Sequence, residues 1–294
     1  MIVDGVFSGG GIKGFAYVGA IQALEERGIK FRRVAGTSAG AILATFVAAG
    51  FNAEELEAIF DELNVKALLD PPKRVFRLPF LKWINLYINL GLYRGKLLEK
   101  FFHEILAKKG VCTFGDLPPG SLKLVASDLT NGRIIVLPDD LGKYGVNSET
   151  FPIARALRMS CGIPFFFEPI YLKSGKMEAV VVDGGVLSNF PLWIFDNGHR
   201  ERPVLGLKLS SASGEMAPHK VDNAIDLFEA LFSTMKNAHD NRYISRRFER
   251  DIVFIPVENY SATQFDLDEE TKQKLITIGH DRTKQFLRKW SPVW

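Results

Sequence analysis

Phe31-Arg32-Arg33-Val34-Ala35-Gly36-Thr37-Ser38-Ala39-Gly40-Ala41-Ile42-Leu43-Ala44-Thr45-Phe46-Val47-Ala48-Ala49 reads as a short strand, a tight turn and a helix that is apolar on every side. A helix without a polar face belongs inside a protein. The turn, Gly36 to Gly40, is a G-x-S-x-G. In a strand-to-helix corner this pattern exposes a serine on a strained backbone, with the amide of the next residue facing the site of reaction. Glycines flank the serine because the corner leaves little room for β-carbons. A glycine-rich turn with a capping serine is the bland alternative. The uncharged run from Ala35 to Asn52 approaches the length of a membrane span. Its three glycines, with Thr37, Ser38, Thr45 and Asn52, predict a buried helix of a soluble fold instead.

Upstream, Ile2, Val3, Val6 and Phe7 suit a strand, Gly9-Gly10-Gly11 breaks it, and Tyr17, Val18, Ile21 and Leu24 recur at helical spacing. Gly28 closes that helix. Gly9, Gly11 and Gly14 satisfy G-x-G-x-x-G in the setting of a dinucleotide fingerprint, but the second strand offers no acid for a ribose hydroxyl. Only Arg32 or Arg33 could read a 2′-phosphate, which keeps an NADP-binding reductase as a competing reading. The other use of such a loop is as a bank of backbone N–H groups that stabilises an oxyanion.

Downstream, β-rich runs at Leu122–Ala126, Arg133–Leu137, Ala179–Val182, Val204–Leu209 and Ile252–Pro256 alternate with helical stretches, which predicts a layered α/β fold. Ala179–Val182 ends in Asp183-Gly184-Gly185. That places a carboxylate at a strand end, where open α/β sheets build their sites. Burial can raise such a carboxylate enough for it to act as a base. An Asp-Gly turn is the ordinary reading of the tripeptide alone. His199, His219, His239 and His280 follow Asp183 in the order a serine triad would use. They lie in charged or helical segments, however, and only about two strands precede Ser38, fewer than an α/β-hydrolase places before its elbow.

The 294 residues are 47% hydrophobic and 24% charged, which suits a globular chain and excludes fibrous or disordered architectures. With 37 Lys and Arg against 34 Asp and Glu the net charge is +3, without the single-sign run that nucleic acid binding needs. Two cysteines, Cys112 and Cys161, are too few for a disulfide framework and lack metal spacing, which predicts a reducing, cytoplasmic setting. The N-terminus has no basic and apolar leader pattern. No repeat or linker divides the chain, so residues 1–294 are expected to form one domain, with residues 211–294 a helical part packed on the core. Helices are expected over Asp222–His239 and Asp268–Trp290.

In this order, Gly9-Gly10-Gly11-Ile12-Lys13-Gly14, Gly36-Thr37-Ser38-Ala39-Gly40 and Asp183-Gly184-Gly185 resemble the patatin-like phospholipase family. Ser127-Asp128-Leu129-Thr130-Asn131-Gly132-Arg133, Arg158-Met159-Ser160-Cys161-Gly162-Ile163-Pro164 and Asn189-Phe190-Pro191 extend the likeness over residues 5–210. The resemblance implies a three-layer α/β/α patatin-like fold with a central, mostly parallel sheet, distinct from α/β-hydrolase topology. It implies a lipid acyl hydrolase, with a silent scaffold of the same fold as the inactive alternative. Ser38 would be the nucleophile, Asp183 the base, and the amides of Gly10, Gly11 and Ala39 the oxyanion donors. Lys13 would be auxiliary, Ser160 and Asn189 structural, and neither metal nor nicotinamide would be required. Between Arg74 and Phe102, Phe76, Phe80, Trp83, Tyr87 and Tyr93 stand among basic residues, a mixture that favours peripheral contact with a lipid surface; a cap over the site would use the same residues.

Overall fold

β1 (Ile2–Phe7) and β2 (Lys30–Thr37) pair in parallel, and both are buried toward their C-terminal ends. Val3, Val6 and Phe7 of β1 and Val34 and Ala35 of β2 supply the apolar residues that a strand covered on two faces requires, and the buried Asp4 between them is paired with Arg33. Val3 and Phe7 enter the larger core cluster while Val6, one pleat over, enters a smaller one with Ala35, Phe190, Leu192 and Phe195. Both faces of the sheet are therefore covered. The computed structural model describes the chain apart from residues 64, 72–85, 175–176, 197–200, 211–220, 223–226, 228–229, 236–248, 258–266 and 292–294.

The other strands among the described residues are β3 (Gly91–Tyr93), β4 (Leu122–Asp128), β5 (Arg133–Leu137), β6 (Phe165–Phe167), β7 (Ile170–Ser174), β8 (Met177–Asp183), β9 (Val204–Ser210) and β10 (Ile252–Pro256). The main sheet runs β10-β9-β1-β2-β4-β8-β7, with β5 also on β4, while β3 and β6 form a small parallel pair of their own. From β10 to β4 every pairing is parallel, whereas β8 and β5 run antiparallel to β4. The fold is thus α/β with a mostly parallel central sheet.

The helices bounded among the described residues are α1 (Ala16–Glu26), α2 (Ala39–Ala48), α3 (Ala53–Glu62), α4 (Lys96–Ala107), α5 (Ile153–Ser160) and α6 (Glu269–Leu287). α2 lies within the core, as its composition requires. α3 starts on a reciprocal capping box between Asn52 and Glu55, and Asp268 caps α6 through the Thr271 amide. The helix expected over Asp268–Trp290 is therefore present, while most of that expected over Asp222–His239 lies outside the described residues. β2 extends beyond the expected Val34 as far as Thr37, because Ala35 and Gly36 still pair with β1 and Thr37 with β4.

Candidate active site

Three strands use β4, and two of them share one of its edges. β5 pairs with Leu124–Asp128 along one side. On the other, β2 reaches Val125 at Thr37, while β8 arrives from the opposite direction and reaches Ala126 at Asp183. The C-terminal ends of β2 and β8 thus meet head-on at adjacent β4 residues. Asp183 closes its strand, as expected; β8 runs antiparallel to β4, and that reversal turns its end toward Ser38.

Ser38 follows Thr37 with φ 54° and ψ −123°, a conformation that a non-glycine residue adopts at a cost of about 1–3 kcal/mol unless its surroundings fix it. The surroundings do so. Its carbonyl accepts the Ala41 and Ile42 amides at 2.8 and 3.2 Å, which opens α2. A β-carbon on Gly40 would overlap the Phe7 carbonyl, so only glycine lets α2 approach β1 this closely. Ala39 is the first residue of α2, and its N–H is one of those a helix leaves without an internal acceptor.

The glycine loop lies across this corner. A β-carbon on Gly9 would stand 3.2 Å from Ser38 Cβ and overlap Asn189 Oδ1, while one on Gly14 would stand 3.2 Å from Ala39 Cβ. The Gly9 amide donates to Asn189 O at 3.0 Å. Just upstream, the Ser8 amide donates to Leu207 O at 3.1 Å, the Leu209 amide to Ser8 Oγ at 3.0 Å, and the Tyr17 hydroxyl to Ser8 O at 2.6 Å. The loop is therefore held at its root to β9 and α1. Gly10 and Gly11 open the 3-10 turn Gly11–Phe15, whose leading N–H groups have no acceptor within the turn. Lys13 sits half-buried in that turn.

Asp183 is buried at 1% exposure. Its Oδ1 accepts the Gly185 amide at 2.7 Å, and its own amide donates to Gly162 O at 2.9 Å. Gly184 packs against Val125 O and Thr37 with no space for a β-carbon, and Thr37 Oγ1 donates to Ser188 O at 2.9 Å. Burial, with the Asp183 carboxylate adding to it, pushes the Cys161 thiol well above its usual range, so the sulfur stays protonated.

Arg158, on α5 behind this site, is 2% exposed, and burial brings its guanidinium down to about 10. Its Nη2 donates to Arg94 O at 3.0 Å and Glu168 O at 2.6 Å, and its face lies 4.7 Å from the Phe167 ring centroid. It ties the β3–β6 pair to α5. Its segment is part of the sequence resemblance, which gives Arg158 itself no role, although a lone cation among the buried positions of Ile153–Ser160 is the signal that could have found it.

The competing residues sit elsewhere. Arg33 bonds Asp4 and covers the Phe195 ring at 4.8 Å. With Arg32, Pro118 and Arg202 it lines a crevice of about 190 Å³ beside the first half of β2. That leaves the glycine loop without the arginine a dinucleotide reading asks of Arg33. His280 joins Glu26 and Asp281 on α1 and α6, and His199, His219 and His239 lie outside the described residues. Among the described residues no group of three or more His, Cys, Asp or Glu could hold a metal ion.

The family model described as patatin-like phospholipase matches residues 5–196, nearly the span that carried the resemblance. The protein YqhO of Bacillus subtilis is 52% identical over 291 residues, covering 99% of this chain and all of its own length. A cUMP-AMP-activated phospholipase of Escherichia coli is 26% identical over 195 residues, or 62% of this chain and 54% of that protein. Among solved structures, VipD of Legionella pneumophila covers 98% of this chain and 67% of its own with a TM-score of 0.59 at 18% identity, a likeness of fold.

Proposed function

This chain belongs to the patatin-like phospholipase family, and on that premise we propose that it hydrolyses acyl esters of lipids through a Ser38–Asp183 dyad. The observation that carries the reading is the head-on meeting of β2 and β8 on one edge of β4, with Thr37 opposite Val125 and Asp183 opposite Ala126. In a first step Asp183 takes the Ser38 hydroxyl proton while Oγ attacks the ester carbonyl carbon. The negative charge gathers on the former carbonyl oxygen, where the amides of Gly10, Gly11 and Ala39 receive it. Collapse expels the alcohol, which leaves with the proton held by Asp183, and the acyl group stays on Ser38. Water then attacks the acyl-enzyme, Asp183 takes its proton, and the second collapse returns that proton to Ser38 as the fatty acid departs.

Lipid substrates require a surface, and the segment from Arg74 to Phe102 supplies one in this reading. Residues 72–85, with Phe76, Phe80 and Trp83, lie outside the described residues, but Tyr87 and Ile88 are 86% and 68% exposed. Among the described residues no helix is long and apolar enough to cross a membrane, so contact would be peripheral.

A fluorophosphonate probe followed by peptide mapping tests the nucleophile. Stoichiometric modification of Ser38, lost together with ester hydrolysis in Ser38→Ala, is the expected result; modification elsewhere or an active alanine variant overturns it.

A further inference from the structure

The last residue of α5 and the two that follow it touch the paired strand ends one after another. Ser160 Oγ donates to Val125 O at 2.6 Å and accepts the Ser38 N–H at 3.1 Å. Cys161 Sγ donates to Ser38 O at 3.3 Å. Gly162 O accepts the Asp183 N–H at 2.9 Å. We propose that Ser160-Cys161-Gly162 is a splint that sets the nucleophile against its base, with Ser160 and Cys161 as positioning residues that act through the Ser38 backbone. The proposal rests on the Ser38–Asp183 reading and deepens it.

A serine hydroxyl carries one proton. Given to Val125 O, it leaves Ser160 Oγ only lone pairs to offer, so the Ser38 N–H meets an acceptor of fixed sense. Val125 lies opposite Thr37 and next to Ala126, the partner of Asp183. The hydroxyl therefore ties the Ser38 peptide to β4 at the point where the two strand ends meet. Ser160 is wholly buried, so water cannot stand in for it. Cys161 grips the opposite end of the same residue at its carbonyl, and its raised pKa keeps the S–H donor in place. Together the two side chains hold both peptide groups of a residue whose φ of 54° is otherwise unfavourable. A further consequence concerns the oxyanion: the Ser38 N–H is already engaged by Ser160, so the donors to the reacting oxygen come from Gly10, Gly11 and Ala39.

The test is Ser160→Ala with p-nitrophenyl butyrate as substrate. A displaced nucleophile lowers kcat by about tenfold or more while KM stays within roughly twofold, since soluble ester binding does not use this hydroxyl. Fluorophosphonate labelling of Ser38 slows by the same factor, and the Ser38 amide exchanges hydrogen at least about tenfold faster. Ser160→Thr keeps the hydroxyl and recovers most of kcat. Thr45→Val, which removes a buried α2 hydroxyl bonded to Ala41 O at 2.8 Å, gives the matched control for loss of a buried polar group and leaves kcat unchanged. A folded Ser160→Ala enzyme with wild-type kcat, or a loss that Ser160→Thr fails to recover, overturns the splint. If Ser160→Ala does not fold, Cys161→Ala decides: reduced kcat at constant KM supports the splint, and wild-type kcat overturns it. Wild-type protein that is not labelled at Ser38 refutes the nucleophile instead, and the amide exchange of Ser38 still reports whether Ser160 holds it.

Discussion

Gly19 of α1 and Gly279 of α6 mark a crossing where neither helix has room for a β-carbon. One placed on Gly19 would overlap Ile276 O, and one on Gly279 would overlap Ala16 O. The contact brings a helix from beyond residue 196 against the helix that leaves the glycine loop, so the root of that loop and the C-terminal helix are packed as one unit. Lys272 of the same helix lies with its ammonium 5.7 Å from the Phe15 ring, in the 3-10 turn of that loop.

Gly279→Ala is therefore expected to destabilise, although alanine is the better helix former by about 1 kcal/mol. Overpacking at a rigid backbone contact costs about 1–3 kcal/mol, and Gly279→Leu costs more. At about 2–4 °C per kcal/mol for a chain of this size, a thermal melt of the alanine variant falls by several degrees. A raised melting temperature would mean that the crossing is loose and propensity governs.

Asp183→Asn is expected to lower turnover of a short soluble ester by orders of magnitude with the fold intact, since an amide cannot accept the Ser38 proton. His280→Ala should leave turnover within about threefold, because its imidazole is bonded to Glu26 at 2.9 Å on α1 and α6. A folded but inactive His280 variant would restore an ordinary triad.

The difference between what was legible and what was not follows from range. Ser38 and the glycine loop were readable because glycines report local backbone needs, as the φ of Ser38 and the overlap at Gly40 bear out. Asp183 was readable as a strand end followed by glycines, but its direction was not: whether β8 runs with or against β4 depends on a partner more than fifty residues away. β3 and β6 have three residues each, too short for periodicity to reveal. Ser160, a single serine at a helix end, carries no local mark of its bond to a residue over one hundred positions upstream. The Gly19–Gly279 crossing is likewise invisible until two distant helices are laid together.

The contact of His280 with α1 sets a pH dependence of stability. The Glu26 carboxylate raises the His280 pKa, Asp281 assists, and burial and Lys284 oppose. A pKa raised on folding means that the contribution is fully present below the unfolded value of about 6.5 and is lost as pH climbs through the higher folded value. His280→Gln should thus narrow the melting-temperature gap to wild type as pH goes from 5.5 to 8.5, by about 1–3 °C given the solvent exposure of the pair. An equal gap at both ends would show that the imidazole charge contributes nothing.

The proposed contact with lipid can be tested apart from chemistry at Tyr87 and Ile88, which are 86% and 68% exposed and precede Leu90, itself 42% exposed with φ 57°. Bulky apolar side chains held in water, the last on a left-handed backbone, gain where they can leave water, and in the proposed lipid contact Lys96 and Lys100 at the start of α4 would meet anionic headgroups. None of these side chains is needed to fill the core, so replacing them leaves the fold alone. Tyr87→Ser combined with Ile88→Ser should reduce both co-sedimentation with phosphatidylglycerol vesicles and hydrolysis of phospholipid in them, by about tenfold for the loss of two apolar anchors. Hydrolysis of p-nitrophenyl butyrate and the melting temperature should stay near wild type, because a soluble ester reaches Ser38 without a surface. Equal losses on both substrates would assign these residues to the wall of the acyl pocket, and unchanged vesicle binding would move the lipid contact to another face.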